Sequence, residues 1–251
     1  MLTEERRAKI IDIVNEKKAV SVNELVDLLD SSAATIRRDI TALSKTRQVV
    51  KVFGGATSTA NLSVLTEEAA VGTKAAQNVK EKDSIAHHAA SLIEDEDFVY
   101  IDAGTTTLSM IDYMDNTKAK YITNGVVHAK KLMDKGLDTI MIGGRLKAST
   151  EAVVGPDCTE FIRKYHFSKA FMGTNGISLQ AGFTTPDSDE AMIKTEAIKH
   201  SYKAYVLADH TKFDQISSVT FADISDCTII TDATVSKEYG NAGFIISTEH
   251  I

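Results

Sequence analysis

The sequence contains little cysteine and no long hydrophobic run, and both absences exclude classes of protein. Its 251 residues include two cysteines, Cys158 and Cys227, which stand far apart and outside any CxxC spacing. This spacing indicates neither a disulfide framework nor a zinc site, so we expect structural thiols. No segment approaches the roughly 18 consecutive apolar residues that a membrane-spanning helix needs. The start, MLTEERR, lacks the basic-then-apolar order of a secretory signal. We therefore predict a cytoplasmic protein without a membrane partner.

Charge is distributed unevenly along the chain. The composition, 43% hydrophobic and 25% charged, suits a folded protein of one or two domains. Residues 1–57 hold ten basic and eight acidic side chains, whereas the remaining residues hold 18 basic and 27 acidic ones. Within residues 31–57, five basic side chains accompany one acidic side chain, Asp39. On a chain of net charge -7, this local excess is typical of a surface that contacts phosphates.

Two short helices are predicted at the start of this basic portion. The first covers about residues 4–16. Its apolar stripe consists of Ile10, Ile11 and Val14. The stretch SVNE, Ser21 to Glu24, has the pattern of a capping box, in which each side chain bonds the other residue's backbone amide. It begins the second helix. The leucines expected to point inward from that helix are Leu25, Leu28 and Leu29.

A third helix is predicted over residues 33–45, with Ser32 as its N-cap. Its apolar residues recur at i, i+4 and i+7 and bury one side of the helix. They are Ile36, Ile40 and Leu43. Arg37, Arg38 and Thr41 must then face away from the core.

Helices two and three, with a tight turn between them, match the geometry of a helix-turn-helix, whose second helix enters the DNA major groove. The strand VVKVF and the GGA after it fit a wing, with Lys51 turned outward between Val50 and Val52. The alternative is that Arg37 and Arg38 only solvate a surface helix. The capped helix pair and the wing favour DNA binding.

The stretch SVNELVDLLDSSAATIRRDITAL, followed by KVFGGA, resembles the amino-terminal signature of the DeoR family of bacterial sugar-responsive transcription regulators. The resemblance implies a winged helix-turn-helix in which the TIRRD residues lie on the recognition helix. Arginine can bind guanine bidentately or clamp a phosphate, and either arginine of the pair can be the one that reads bases. The residues predicted to contact DNA are Ser32, Thr35, Arg37, Arg38, Thr41 and Lys51.

Two positions of the first portion depart from the family pattern. Arg47 stands where a glycine usually follows the recognition helix, and Phe53 stands where a histidine usually precedes GGA. Beyond the wing, residues 57–77 are rich in small and polar residues and weak in periodicity, as in a linker. We expect a DNA-binding domain over residues 1–57, a linker over 58–76 and a sensor domain over 77–251.

The sensor portion alternates strand and helix after a first helix over about residues 77–94. Short β-rich runs end in loops rich in Gly, Thr, Asn or Asp, and helical stretches lie between several of them. This alternation is typical of βαβ units and a mostly parallel sheet. The predicted fold class is α/β, with a small amino-terminal winged helix-turn-helix domain and a larger α/β sensor domain.

Polar residues gather where the predicted strands end, which is where open parallel sheets bind ligands. In YIDAGTTTLSMI, Asp102 closes a strand, Gly104 permits a tight turn, and three threonines open a helix whose amides favour a phosphate. The stretches TN, GGR, GTNG and DHTK can converge there from other strands. Each motif alone is an ordinary loop; together they would suit an anionic, hydroxyl-rich ligand.

The order of these motifs, from about residue 82 to 231, resembles the sensor domain of the same family, which is similar in fold to ribose-5-phosphate isomerase. The resemblance implies a pocket for a sugar phosphate. The stretch GFTTPDSDEAMIK adds further pocket or loop residues, and Pro186 suits a helix entry before Asp187. The predicted effector-binding residues are Asp102, Gly104, Thr105, Thr106, Thr123, Asn124, Gly143, Gly144, Arg145, Asp187, Glu190, Lys194 and Lys212.

An isomerase is the alternative reading of this portion. That enzyme carries an acidic cluster where this chain reads GTNGIS, residues 173–178, without a carboxylate. Because proton transfer needs a positioned acid or base, we predict a binding protein with no catalytic residue. We also expect no metal and no cofactor. A protein-binding or structural module, the third possibility, would bind neither duplex DNA nor sugar phosphates.

Together the two sites predict a regulator that binds operator duplex DNA as a homo-oligomer, a dimer or tetramer, because one small reader supplies too little affinity. A phosphorylated sugar would change how the readers are spaced. Release from DNA would make the protein a repressor of a sugar-utilisation operon, although activation is open. Ketohexose and pentose phosphates fit equally, with a slight preference for a fructose phosphate from the family likeness of GFTTPD.

Overall fold

A computed structural model describes residues 2–17, 19–46, 48–58, 71–115 and 118–249. The chain divides into two units, Met1–Val64 and Leu65–Ile251. Across these described ranges, no helix is both long enough and apolar enough to cross a lipid bilayer.

Within its described residues, the first unit contains three helices and a small antiparallel sheet. The helices are α1 (Thr3–Lys17), α2 (Val22–Leu29) and α3 (Ala33–Lys45). The strands are β1 (Ala19–Ser21), β2 (Val49–Val52) and β3 (Gly55–Ser58), in the spatial order β1-β3-β2. The apolar stripes of the three helices and Val49 of the sheet form one buried cluster. The bounds of α3 are those predicted, and the predicted wing is the β2–β3 hairpin. The short strand β1 was not predicted.

Helix α2 differs from expectation at two points. Leu28 is 52% exposed, so its predicted inward orientation is wrong. Val22, Leu25 and Leu29 define the buried face, and position 28 lies about a quarter turn from its centre. The Ser21 hydroxyl accepts from the Glu24 amide at 3.1 Å, as a capping box requires. The Glu24 carboxylate instead pairs with Lys17 on α1.

The second unit has helices on both faces of a parallel sheet. Its helices are α4 (Val71–Ala75), α5 (Val79–Ser91), α6 (Thr105–Met110), α7 (Val126–Asp134), α8 (Pro156–Ile162), α9 (Ser188–Lys199) and α10 (Lys237–Ala242). Its strands are β4 (Phe98–Ile101), β5 (Lys120–Thr123), β6 (Asp138–Met141), β7 (Arg145–Lys147), β8 (Ala152–Val154), β9 (Phe167–Gly173), β10 (Gly176–Ser178), β11 (Gly182–Thr185), β12 (Ser201–Leu207), β13 (Val219–Ala222), β14 (Thr228–Thr231) and β15 (Phe244–Ser247).

Seven of these strands form the central sheet, in the order β15-β14-β12-β9-β4-β5-β6, and all neighbours are parallel. The predicted mostly parallel sheet is confirmed. Its inner strands are largely buried and apolar, its edge strands β6 and β15 are partly exposed, and one hydrophobic cluster packs on each face. The chain runs outward from β4 to β6 and then returns to β9 on the other side of β4. The boundary between β4 and β9 is therefore the topological switch point, where such sheets bind ligands.

The predicted linker falls partly outside the described residues. Residues 59–70 and Arg47 are not among them, whereas residues 71–75 form α4, whose first amide donates to the Ser149 carbonyl at 3.3 Å. Both cysteines are free and buried, as structural thiols would be. Burial raises the pKa of the Cys158 and Cys227 thiols to about 12, so both stay protonated.

Candidate functional site

The outer face of α3 presents the arginine pair. Arg37 and Arg38 are both exposed, and within the described residues neither side chain forms an ion pair. The Ser32 hydroxyl caps the helix by accepting from the Thr35 amide at 3.3 Å, and Thr41 donates to the Arg37 carbonyl at 2.8 Å. The two guanidinium groups are therefore held on a capped helix with their donors directed to solvent.

Asp39, the next residue, points the other way. Its carboxylate is 2% exposed and accepts from Arg6 Nε at 2.6 Å and from Arg7 Nε at 2.9 Å. These pairs tie α3 to α1 and remove the only acidic side chain of residues 31–57 from the outer face. Position 39 lies one turn after Ile36 and one turn before Leu43, so the helical period places it on the side of the buried stripe.

The wing continues this surface. Val52 pairs with Gly55, so the hairpin turn consists of Phe53 and Gly54, and Gly54 has a φ of +78°. Lys51 on β2 is half-buried, and Phe53 at the tip is 66% exposed. Strand β3 also pairs with β1, and a Cβ atom at Gly55 would lie 2.1 Å from the Val20 carbonyl oxygen. The close approach of β1 to the wing thus requires glycine there.

In the second unit, a cleft opens at the switch point between β4 and β9. Its empty volume is about 820 Å³ with its mouth included, and it is lined from the ends of β4, β9 and β12 and from α4, α5 and α9. The predicted effector residues that line it are Asp102, Gly104, Thr105, Thr106, Asn124, Glu190, Lys194 and Lys212.

Asp102, directly after β4, lines the cleft. Its Oδ2 accepts from the Gly173 amide at 3.1 Å, which joins the end of β4 to the end of β9. Lys194 on α9 pairs with the same oxygen and donates to the Gly173 carbonyl at 3.0 Å. Both side chains are almost fully buried. The pair therefore holds β4, β9 and α9 together beneath any ligand.

The loop after β4 is fixed by buried side chains behind it. The Thr107 hydroxyl accepts from the Gly104 amide at 3.0 Å, and His128 Nε2 lies 2.9 Å from the Gly104 carbonyl oxygen. Because a carbonyl only accepts, Nε2 carries the proton. Burial lowers the pKa of His128 to about 4, so the imidazole is neutral at pH 7. These contacts leave Thr105 and Thr106 on the cleft side of the loop.

The cleft is rich in lysine. Besides Lys194 and Lys212 it contains Lys74 and Lys82, which precede the first strand of the sheet. Burial lowers the pKa of Lys82, a shift that the nearby Asp209 carboxylate opposes. Sequence reasoning missed the cleft residues on this side because no strand-end motif marks them. They are Val71, Lys74, Gln77, Asn78 and Lys82.

Five predicted effector residues lie outside the cleft lining. Thr123 is buried and accepts from the Gly125 amide at 3.0 Å. Asp187 caps α9, as its place after Pro186 predicts, by accepting from the Glu190 amide at 3.0 Å. The other three are exposed on or just before β7, where Arg145 pairs with Asp189. They are Gly143, Gly144 and Arg145.

A winged helix-turn-helix followed by an α/β unit with a polar cleft defines a ligand-responsive class of DNA-binding protein. Family models match both parts: a DeoR-like helix-turn-helix domain over residues 6–61 and a DeoR C terminal sensor domain over residues 77–233. The chain belongs to the DeoR family and is a DNA-binding transcriptional regulator, not an enzyme.

Relatives of similar length support this assignment. The chain is 46% identical to the "Uncharacterized HTH-type transcriptional regulator FruR" of Bacillus subtilis strain 168, over 92% of this chain and 91% of that one. It is 36% identical to the regulator IolR of the same strain, over 88% and 87%. It is 32% identical to the lactose phosphotransferase system repressor of Staphylococcus aureus strain N315, over 90% of each.

Among solved structures, ribose 5-phosphate isomerase A from Methanocaldococcus jannaschii aligns with a TM-score of 0.41 and 14% identity, over 55% of each chain.

Proposed function

We propose that this protein represses a sugar-utilisation operon and leaves its operator when a phosphorylated sugar occupies the cleft. Helix α3 and the wing would hold the duplex, and the second unit would sense the sugar. One relative is named as the lactose phosphotransferase system repressor. This name supports both the proposed link to a sugar and the proposed repression. We also propose a cytoplasmic location.

The proposal that α3 binds DNA is supported chiefly by one observation: Asp39 and the two arginines before it point in opposite directions. Asp39 is neutralised inside the unit by Arg6 and Arg7, whereas Arg37 and Arg38 remain exposed. A helix that buries its carboxylate and presents adjacent guanidinium groups suits phosphates and guanine edges. Lys51 on the wing would add a backbone contact.

The chemistry of the cleft supports a phosphorylated sugar as its ligand. Lys74, Lys82 and Lys212 supply positive charge around the opening, and Asp102 already has a cationic partner in Lys194. The hydroxyls of Thr105 and Thr106 can exchange hydrogen bonds with sugar hydroxyls or phosphate oxygens. A ligand whose phosphate binds the lysines and whose sugar hydroxyls bind the threonines would use both the ammonium and the hydroxyl groups of the cleft.

We propose that the protein acts as a dimer or larger oligomer, with a DNA-binding domain over residues 1–57, a linker over 58–76 and a sensor domain over 77–251. Paired readers can contact two half-sites about one helical turn apart. Each half-site adds affinity that one small domain does not supply.

Thermal shift with a panel of sugars and sugar phosphates, followed by gel shift on the DNA upstream of its own operon, tests the proposal. We expect a phosphorylated sugar, and not its unphosphorylated parent, to raise the melting temperature. The same compound should release the upstream DNA. Equal stabilisation by both forms would contradict a phosphate site, and failure to bind the upstream DNA would contradict the operator assignment.

A further inference from the structure

Residues 71–78, here called the connector, comprise α4 and the turn before α5. Along the chain they are the first described residues after the DNA-binding unit. Four of them line the same cleft as Asp102: Val71, Lys74, Gln77 and Asn78. One wall of the candidate effector cleft is therefore made by the segment that leads to the DNA-binding domain.

The connector is tied to the rest of the second unit at three points. The Val71 amide donates to the Ser149 carbonyl at 3.3 Å. The Asn78 side chain donates to Asp209 Oδ1 at 3.1 Å, with Asn78 itself in the left-handed region at a φ of 49°. Between these ends, the Lys82 ammonium donates to the Lys74 carbonyl.

The third tie is the one that offers a cationic group to an anionic ligand. Lys82 is 6% exposed, yet its side chain lines the cleft between the connector and Asp209. A phosphate oxygen is a charged acceptor and binds an ammonium more strongly than a neutral carbonyl does. A phosphate in the cleft would therefore attract the Lys82 ammonium toward the ligand and lengthen its hydrogen bond to the Lys74 carbonyl.

We propose that the connector transmits occupancy of the cleft to the DNA-binding domain, because a phosphate draws the Lys82 ammonium from the Lys74 carbonyl and loosens the connector. This inference rests on the proposed function and adds how the effector acts. Such coupling requires that the ligand bind the loosened arrangement more tightly than the tied one. Lys82 is then a positioning residue for the connector as well as part of the cleft.

The test uses the full-length protein with the variants Lys82→Met, Lys82→Arg and, as a matched control, Lys80→Met. Lys80 is exposed on the same helix and outside the cleft. Without any ligand, amide hydrogen exchange in residues 71–78 should be at least about fivefold faster in Lys82→Met than in the wild type or the control. Lys82→Arg, which keeps a cationic donor, should restore most of the protection. Exchange in β4 and β9 should not change, which shows that the sheet is intact.

Operator affinity supplies the second readout. Lys82→Met should bind the upstream DNA at least about fivefold more weakly than Lys80→Met, because its connector is already loose. Inorganic phosphate as a probe should accelerate exchange of residues 71–78 in the wild type and leave Lys82→Met unchanged.

The outcomes separate this inference from the proposed function. Equal connector exchange in Lys82→Met and the wild type, or no response of the wild-type connector to phosphate, would overturn the inference. Equal operator affinity of Lys82→Met and Lys80→Met would overturn it too, with operator binding itself intact. A wild-type protein that fails to bind the upstream DNA would overturn both.

Discussion

Arg37 and Arg38 are single side chains on which the DNA-binding proposal depends. Arg37→Ala and Arg38→Ala should each weaken operator binding by about 1–3 kcal/mol, because each removes a guanidinium that meets phosphates or base edges. Gel shift at fixed salt measures the loss. Arg163→Ala, which removes a half-exposed arginine of the second unit, is the matched control and should leave the affinity unchanged. Wild-type affinity in both α3 variants would reject this surface.

The buried pair of Asp102 and Lys194 makes a prediction about stability. Asp102→Ala or Lys194→Ala should each destabilise the second unit by about 3–5 kcal/mol, because each leaves one buried charge without its partner. The double variant should lose less than the sum of the two. Urea unfolding followed by circular dichroism measures this. The exposed pair Lys130–Asp134 is the control, and its disruption should cost less than about 1 kcal/mol. Additive losses would show that the pair is not coupled.

His128 should make stability fall in mild acid. Its pKa is lowered from 6.5 to about 4 in the folded protein by burial, so below pH 6.5 the unfolded chain binds a proton that the folded chain does not. The wild type should therefore lose stability faster than His128→Gln as pH falls, by about 2 kcal/mol between pH 6.5 and about 5. Glutamine keeps a donor for the Gly104 carbonyl.

Urea unfolding at several pH values measures the two slopes. Equal slopes for His128→Gln and the wild type would contradict a buried neutral imidazole.

At the scale of one element, two substitutions of Ser32, the N-cap of α3, should change folding stability and DNA affinity independently. Ser32→Ala removes the acceptor for the Thr35 amide and should destabilise the first unit by about 0.5–2 kcal/mol. Ser32→Asp keeps a good cap and should retain stability. Its negative charge at the start of the proposed recognition helix should nevertheless weaken operator binding, because it would repel duplex phosphates. Thermal unfolding and gel shift give the two readouts; wild-type DNA affinity in Ser32→Asp would place the cap away from the duplex.

The elements differ in how far the sequence alone predicts them. The bounds of α3 follow from a local cap and a helical period, so they match the structure. Strand β1 has three residues and α4 has five, which is too short for a periodic signal. Lys82 and Asp102 belong to one cleft only because the parallel sheet brings α5 and the end of β4 together, a tertiary arrangement that no local pattern contains. The predicted inward orientation of Leu28 is wrong because the eight residues of α2 are compatible with two neighbouring apolar faces.

At the scale of the whole molecule, regulation must act equally in both directions. If a sugar phosphate weakens operator binding by some factor, operator DNA must weaken sugar-phosphate binding by the same factor. We expect a factor of roughly 5–150, typical of coupled sites. Titration calorimetry of the sugar phosphate, with and without operator duplex, measures one side and gel shift the other. Unequal factors would mean that the two ligands do not share one equilibrium.

The three-stranded sheet of the first unit has a mechanical consequence. Strand β1 pairs with β3 of the wing and leads directly into α2, and the Val22 amide at the start of α2 donates to the Gly54 carbonyl in the hairpin turn at 2.7 Å. These hydrogen bonds couple the hairpin to the helix pair, so neither can change its orientation without the other. If α3 and the wing contact DNA as proposed, the distance between the major-groove contact and the flanking wing contact is therefore fixed. Binding an operator with a different spacing would therefore require a change in this three-stranded sheet, and bending a loop would not be enough.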